Sequence, residues 1–169
     1  IMYVNFIFVA IYMGYSIGSA PIVGYHYGAK HQEELRGLLR RSLWILGIGA
    51  VLLTVAGELF SSSLSKIFVS YDDALFAMTR HGFRLYSLSY LLCGFNIFGS
   101  AFFTALNNGM VSAVISFART LVFQIVCVLV LPIFLELNGI WISILVAEFL
   151  GILVTASLLI ANRKKYSYF

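Results

Sequence analysis

No aspartate, glutamate, lysine or arginine occurs before Lys30. The stretch from Gly14 to Arg41, GYSIGSAPIVGYHYGAKHQEELRGLLRR, then passes abruptly from a glycine-rich apolar run into a basic, amphipathic segment. Residues 1 to 29 exceed the roughly 20 apolar residues a helix needs to cross a hydrocarbon core. Inside a bilayer the backbone must satisfy its own hydrogen bonds, which confines such a run to a helix. Composition agrees: 61% of residues are hydrophobic and 11% charged, with a mean hydropathy of +0.95, against about a quarter charged in a soluble domain. The chain reads as an integral membrane protein.

Uncharged runs separated by turn and charge signals give an all-α, polytopic helix bundle of five transmembrane spans, approximately 2–28, 42–65, 84–106, 111–135 and 139–161. The breaks fall at Lys30 to Arg41, Lys66 to Arg80, the turn Asn107-Asn108-Gly109, and Glu136 to Gly139. Two connectors are so short that the helices they join must be antiparallel neighbours. Asp72 or Asp73 is placed to cap a helix leading into the third span.

Lysine and arginine set the orientation. One set of ends carries Lys30, Arg36, Arg40, Arg41, Arg163, Lys164 and Lys165, the other Lys66, Arg80 and Arg84. By the positive-inside rule, seven against three puts residue 1 outside and the C-terminus in the cytoplasm. Because the chain opens at Ile1, already in apolar sequence and without signal-peptide features, at least one further helix is expected upstream. The pI of about 9.2 does not indicate nucleic-acid binding, since the basic residues gather at helix ends instead of forming a stacking groove. Cys93 and Cys127 both lie within spans, in no metal-ligand spacing, and read as packing residues. No metal site or cofactor is expected.

Four spans align their polar residues on one face. In the third, Tyr86, Ser89, Cys93, Asn96, Ser100 and Thr104 recur at steps of three or four. The first aligns Asn5, Tyr12, Ser16, Ser19 and His26, with Gly14, Gly18, Gly24 and Gly28 opposite as two G-x-x-x-G pairs suited to close backbone approach. The fourth aligns Ser112, Ser116, Arg119 and Cys127; the fifth, Trp141, Glu148, Thr155 and Asn162. Such faces either line a common cavity or hydrogen-bond across helices as packing glue.

Arg119 and Glu148 are the sharpest individual signals, because a charge deep in a span costs about 2.5 to 3.5 kcal/mol on insertion scales and needs a polar partner or pathway. Their depths, reckoned at 1.5 Å per residue, put them within reach of each other. Glu58 and Arg84 lie near span ends, where snorkelling accounts for them. Pro21 deletes a helix hydrogen bond and predicts a kink near residues 17 to 21, either a static bend or a hinge. Gly14-Tyr15-Ser16-Ile17-Gly18 matches the hydrolase G-x-S-x-G pattern but lies inside a membrane helix, without the strand-turn-helix setting that chemistry needs. No enzyme activity is read from the chain.

Several segments resemble a known family. Ser16-Ile17-Gly18-Ser19-Ala20-Pro21-Ile22-Val23-Gly24-Tyr25-His26-Tyr27-Gly28-Ala29-Lys30, Phe103-Thr104-Ala105-Leu106-Asn107-Asn108-Gly109, Ser116-Phe117-Ala118-Arg119 and Asn138-Gly139-Ile140-Trp141 are similar, in order, to the second half of bacterial multidrug and toxic compound extrusion (MATE) transporters. The resemblance implies helices eight to twelve of a twelve-helix protein, a partial C-terminal six-helix lobe spanning residues 1–169. Its N-terminal lobe would be the partner, with membrane lipid around it, in the bacterial inner membrane.

It further implies an antiporter expelling small organic, often cationic, compounds by alternating access, with sodium or protons as the coupling ion. Tyr86, Ser89, Cys93, Asn96, Ser100, Arg119 and Glu148 are the candidate substrate-cavity residues, and Pro21 the candidate kink. One branch of the family carries an acidic cation ligand in the tenth helix with Gln three residues on; Cys93 and Asn96 stand in those places here. A thiol is a poor ligand for hard cations. A lipid-linked sugar flippase of the same superfamily and a non-transporting membrane scaffold are the alternatives.

The charge asymmetry makes a direct prediction. In cells, single cysteines in the 30–41 loop and after Arg163 should be protected from membrane-impermeant thiol reagents and those in the 66–80 loop labelled; reversed labelling contradicts this orientation.

Overall fold

The computed structural model describes residues 1–166 and Tyr168. Helix α1 (Met2–Gly28) leads through a short turn at Lys30 into α2 (Gln32–Val69), followed by α3 (Asp73–Ser87), α4 (Tyr90–Ala105), α5 (Gly109–Phe117), a π-helical segment (Ala118–Phe123) and α6 (Gln124–Tyr166). The runs Met2–Gly28, Gln32–Val69 and Gly109–Tyr166 are long and apolar enough to cross a membrane, and α3 with α4 forms a further span bent by 47°. The run Gly109–Tyr166 doubles back at Glu136, whose φ of 50° and ψ of −130° are non-helical. A straight helix would hold Arg119 and Glu148, 29 residues apart, about 44 Å from each other; their side chains meet at 2.9 Å. Five membrane-spanning limbs result.

Small and polar residues face inward and large apolar residues face outward. The buried stripe of α2 is Leu35, Leu39, Ser42, Leu46, Ala50, Thr54, Gly57, Ser61 and Ser65, while Trp44, Ile48, Leu52, Val55 and Leu59 are exposed. That arrangement would be unstable in water but suits a lipid surround, where helices gain nothing by hiding leucine and associate through close packing and hydrogen bonds.

The bundle departs from the sequence reading in four places. α2 begins at Gln32 instead of 42, since Leu35 and Leu39 continue the buried stripe into the basic segment. The third span is two helices, starting at Asp73 instead of 84; Asp72 caps the first by accepting from Leu75 N at 3.0 Å. The last reversal is sharper than a connector from Glu136 to Gly139, turning on Glu136. Finally, Gly14, Gly18 and Gly28 of the G-x-x-x-G pairs meet no neighbouring atom. α1 runs as one helix through Pro21.

Close approaches use other glycines. A Cβ on Gly94 would sit 2.5 Å from the Tyr12 ring, and one on Gly57 2.8 Å from Ser87. The bend between α3 and α4 frees backbone carbonyls that lipid cannot solvate. Thr54 Oγ1 donates to Ser87 O at 3.4 Å and Tyr12 Oη to Tyr90 O at 2.7 Å. Ser87 Oγ, at the bend, lies 2.8 Å from Arg84 O and 2.7 Å from Glu58 Oε1, and its one proton is shared between the two acceptors.

At the Glu136 reversal, a Cβ on Gly139 would lie 2.5 Å from Leu131 O, against backbone that cannot step aside. Gly139→Ala should therefore destabilise the protein by about 1 to 3 kcal/mol, read as a lowered thermal unfolding midpoint in detergent, whereas Gly14→Ala should leave the midpoint unchanged. Equal effects would show that the tight reversal does not hold the two limbs together.

Candidate functional site: a buried charged network at the centre of the bundle

The helix-repeat stripes on three limbs converge. Asn96 sits in the middle of α4 and is completely buried; Glu148 and Thr155 lie two turns apart on the second limb of α6, and Arg119 on the π segment. Arg119 Nε donates to Glu148 Oε1 at 2.9 Å. Asn96 Nδ2 donates to Glu148 Oε2 at 2.7 Å and to the Glu148 carbonyl at 2.9 Å. Thr155 Oγ1 donates to Asn96 Oδ1 at 2.9 Å. Both carboxylate oxygens are thus engaged, one by a guanidinium and one by an amide, which a carboxylate buried this deeply requires.

Local backbone features make the geometry available. Gly151, one turn after Glu148, leaves room for the Asn96 amide, which a Cβ there would meet at 2.8 Å. In an ideal α-helix, Arg119 and Cys127, eight residues apart, diverge by about 80° around the axis. The wider turn of the π segment winds the face back, and Cys127 is buried along with Ser112. Arg119 itself keeps 21% of its side chain accessible, against 9% for Glu148.

The remaining candidate residues divide into two groups. Tyr86, Ser89 and Cys93 are buried, with the Tyr86 and Tyr90 rings 5.9 Å apart. Ser100, one turn beyond Asn96, joins a hydroxyl cluster between α4 and α5. Its Oγ lies 2.8 Å from Ser112 Oγ and 2.7 Å from Ser116 Oγ, and Thr104 Oγ1 donates to Ser112 Oγ at 2.7 Å.

Glu58 and Arg84 form a second ion pair, Nε to Oε2 at 3.1 Å, and Glu58 Oε1 also accepts from Ser87 Oγ at 2.7 Å. Their nearness to span ends accounts for each one singly, and the pairing adds a partner for both.

An apolar cavity of about 410 Å³ adjoins the network. Its walls include Leu39 and Leu43 of α2, Phe95, Phe98 and Phe102 of α4, and Ile152 and Ala156 of α6, and Thr155 lines it too. Thr155 is therefore the residue shared by cavity and network, its hydroxyl bonded to Asn96.

The chain matches the MatE family model over residues 1–130. No curated protein matches it. Among solved structures it is similar to the bent form of the Vibrio cholerae MATE transporter VcmN, with 19% identity and a TM-score of 0.84 over 99% of this chain and 38% of that one. It is likewise similar to an inward-facing multidrug resistance MATE family transporter of the MOP superfamily, with 20% identity and a TM-score of 0.85 over 96% of this chain and 39% of that one. It thus spans less than half the length of these transporters, and at such identities the likeness establishes the fold. With a family model covering most of its length and a helical bundle of that architecture, this multi-pass membrane chain belongs to the MatE family.

Proposed function

We propose that the chain is part of a secondary active antiporter that exports amphipathic organic compounds, often cationic, in exchange for sodium or protons by alternating access. The complete transporter would sit in the bacterial inner membrane with the C-terminus of this chain in the cytoplasm. One observation carries the reading: an apolar, aromatic-walled cavity within membrane-spanning helices touches a buried charged network through Thr155. Phenylalanine faces accept the flat, lipophilic parts of diverse compounds without demanding one hydrogen-bond pattern. The cavity wall itself is apolar, and the network stands behind it, with Thr155 belonging to both.

The charge balance within that network also favours organic cations over an anionic lipid-linked sugar, because the one arginine deep in a span is neutralised by Glu148. A scaffold has no use for a cavity joined to a buried ion pair. Tyr86, Ser89, Cys93, Asn96, Ser100, Arg119 and Glu148, the expected substrate-cavity residues, are not among those lining this cavity; Asn96 and Glu148 stand behind it through Thr155.

Filling the cavity tests this. In the complete transporter, Ala156→Phe should reduce export of lipophilic cations at least about tenfold with the protein still inserted and folded, while Leu153→Phe, on the exposed face of the same limb, should leave export intact. Wild-type export of several chemically distinct cations by the Ala156→Phe protein would contradict the proposal.

A further inference from the structure

At the end of the bundle where α1 meets α2, three separated parts of the chain close around a small polar cavity of about 90 Å³. It is lined by His26 and Tyr27 from the last turn of α1, Lys30 from the turn, Gln32 and Leu35 from the start of α2, and Lys165 and Tyr166 from the end of α6. Two lysines and a glutamine thus border one volume, and no Asp or Glu lines it among the described residues. Glu33 and Glu34 line a neighbouring open cavity with Lys30, His31 and Gln32. The Nδ1 atom of His26 is buried without a hydrogen-bond partner, although buried polar nitrogens in native proteins nearly always have one.

The walls are fixed by packing. The Tyr166 ring lies 5.6 Å from Tyr27 and 6.5 Å from Phe103, and Lys165 Nζ sits 5.2 Å from the Tyr166 ring centroid. Tyr166 is 6% exposed, so the end of α6 is anchored against the bundle, and the exposed Lys165 and Lys30 border the same cavity. Lys30 has a positive φ of 57°, which places it at the turn between the helices.

We propose that this cavity is a binding site for a phosphate group, carried by an anionic phospholipid headgroup or as free phosphate. Lysine ammonium groups are standard phosphate partners, and His26 Nδ1 and the Gln32 amide supply directional hydrogen bonds. The site lies at the membrane-surface end of the bundle, where apolar spans meet the basic segments. Occupying it ties α1, α2 and the end of α6 together. The inference does not depend on the transport reading, since it needs only that the bundle sits in a membrane.

The test uses the complete transporter in phosphatidylcholine nanodiscs, with three proteins compared: wild type, Lys30→Gln/Lys165→Gln, and Arg163→Gln/Lys164→Gln, which removes the same charge from the same end of α6 outside the cavity. Phosphatidylglycerol is titrated in one arm and inorganic phosphate in the other, with affinity read from the shift in thermal unfolding midpoint. At about fivefold per basic residue near a membrane surface, removing both lysines should weaken binding by roughly 25-fold, and the arginine-lysine control should lose under about threefold. A response to phosphatidylglycerol alone identifies the lipid as carrier, and a response to inorganic phosphate identifies the free ion. Equal losses in the two double variants, or no response to either ligand, would overturn the site.

Discussion

Everything at the centre of this bundle is arranged around one carboxylate in a medium that does not solvate charge. Glu148 is 6% exposed, and a carboxylate so placed is tolerated only if the protein supplies the partners that water would. Two distortions of ideal helix and one absent side chain supply them. The reversal at Glu136 folds the second limb of α6 back beside the π segment. The π segment carries Arg119 at the depth of Glu148. Gly151 then leaves the space that the Asn96 amide fills. Removing any of the three would leave a charge or an amide facing hydrocarbon.

The rest of the fold obeys the same constraint on a smaller scale. Polar side chains reach backbone carbonyls of neighbouring helices: Thr54 holds Ser87 O at the α3–α4 bend, Tyr12 holds Tyr90 O at the start of α4, and Ser100 reaches the Ser112 carbonyl at 3.3 Å. Large apolar residues are left for the lipid. Hydrogen bonds and small-residue contacts thus determine which helices touch, and the apolar cavity is the space left between α2, α4 and α6 where aromatic rings cannot interdigitate further.

The residues that could be read from sequence alone were those governed by helical period. Polar stripes at steps of three and four placed Asn96, Glu148 and Thr155 on inward faces, and two charges in apolar spans at compatible depths pointed to each other. What escaped depends on tertiary neighbours. Whether a glycine admits another backbone is decided by its partner, so Gly14 and Gly18 stand open while Gly57, Gly94, Gly139 and Gly151, outside any G-x-x-x-G pairing read from the sequence, form the contacts. The bend at Leu88–Ser89 has no proline or glycine to announce it. The early start of α2 was hidden because charged residues at a membrane surface resemble a connector, although Leu35 and Leu39 keep the helical repeat. Tyr166 and Tyr168 lay beyond the last span, yet both pack against Phe103, each with ring centroids 6.5 Å apart.

The central claim is that Arg119 and Glu148 exist as a mutually dependent pair, and a double-mutant cycle on thermal stability in lipid nanodiscs measures it most directly. Arg119→Leu and Glu148→Leu should each cost about 3 to 5 kcal/mol, because each strands a buried charge, while the double substitution should be much less harmful than their sum. Strictly additive losses would contradict the account, showing that the two side chains are held independently of one another.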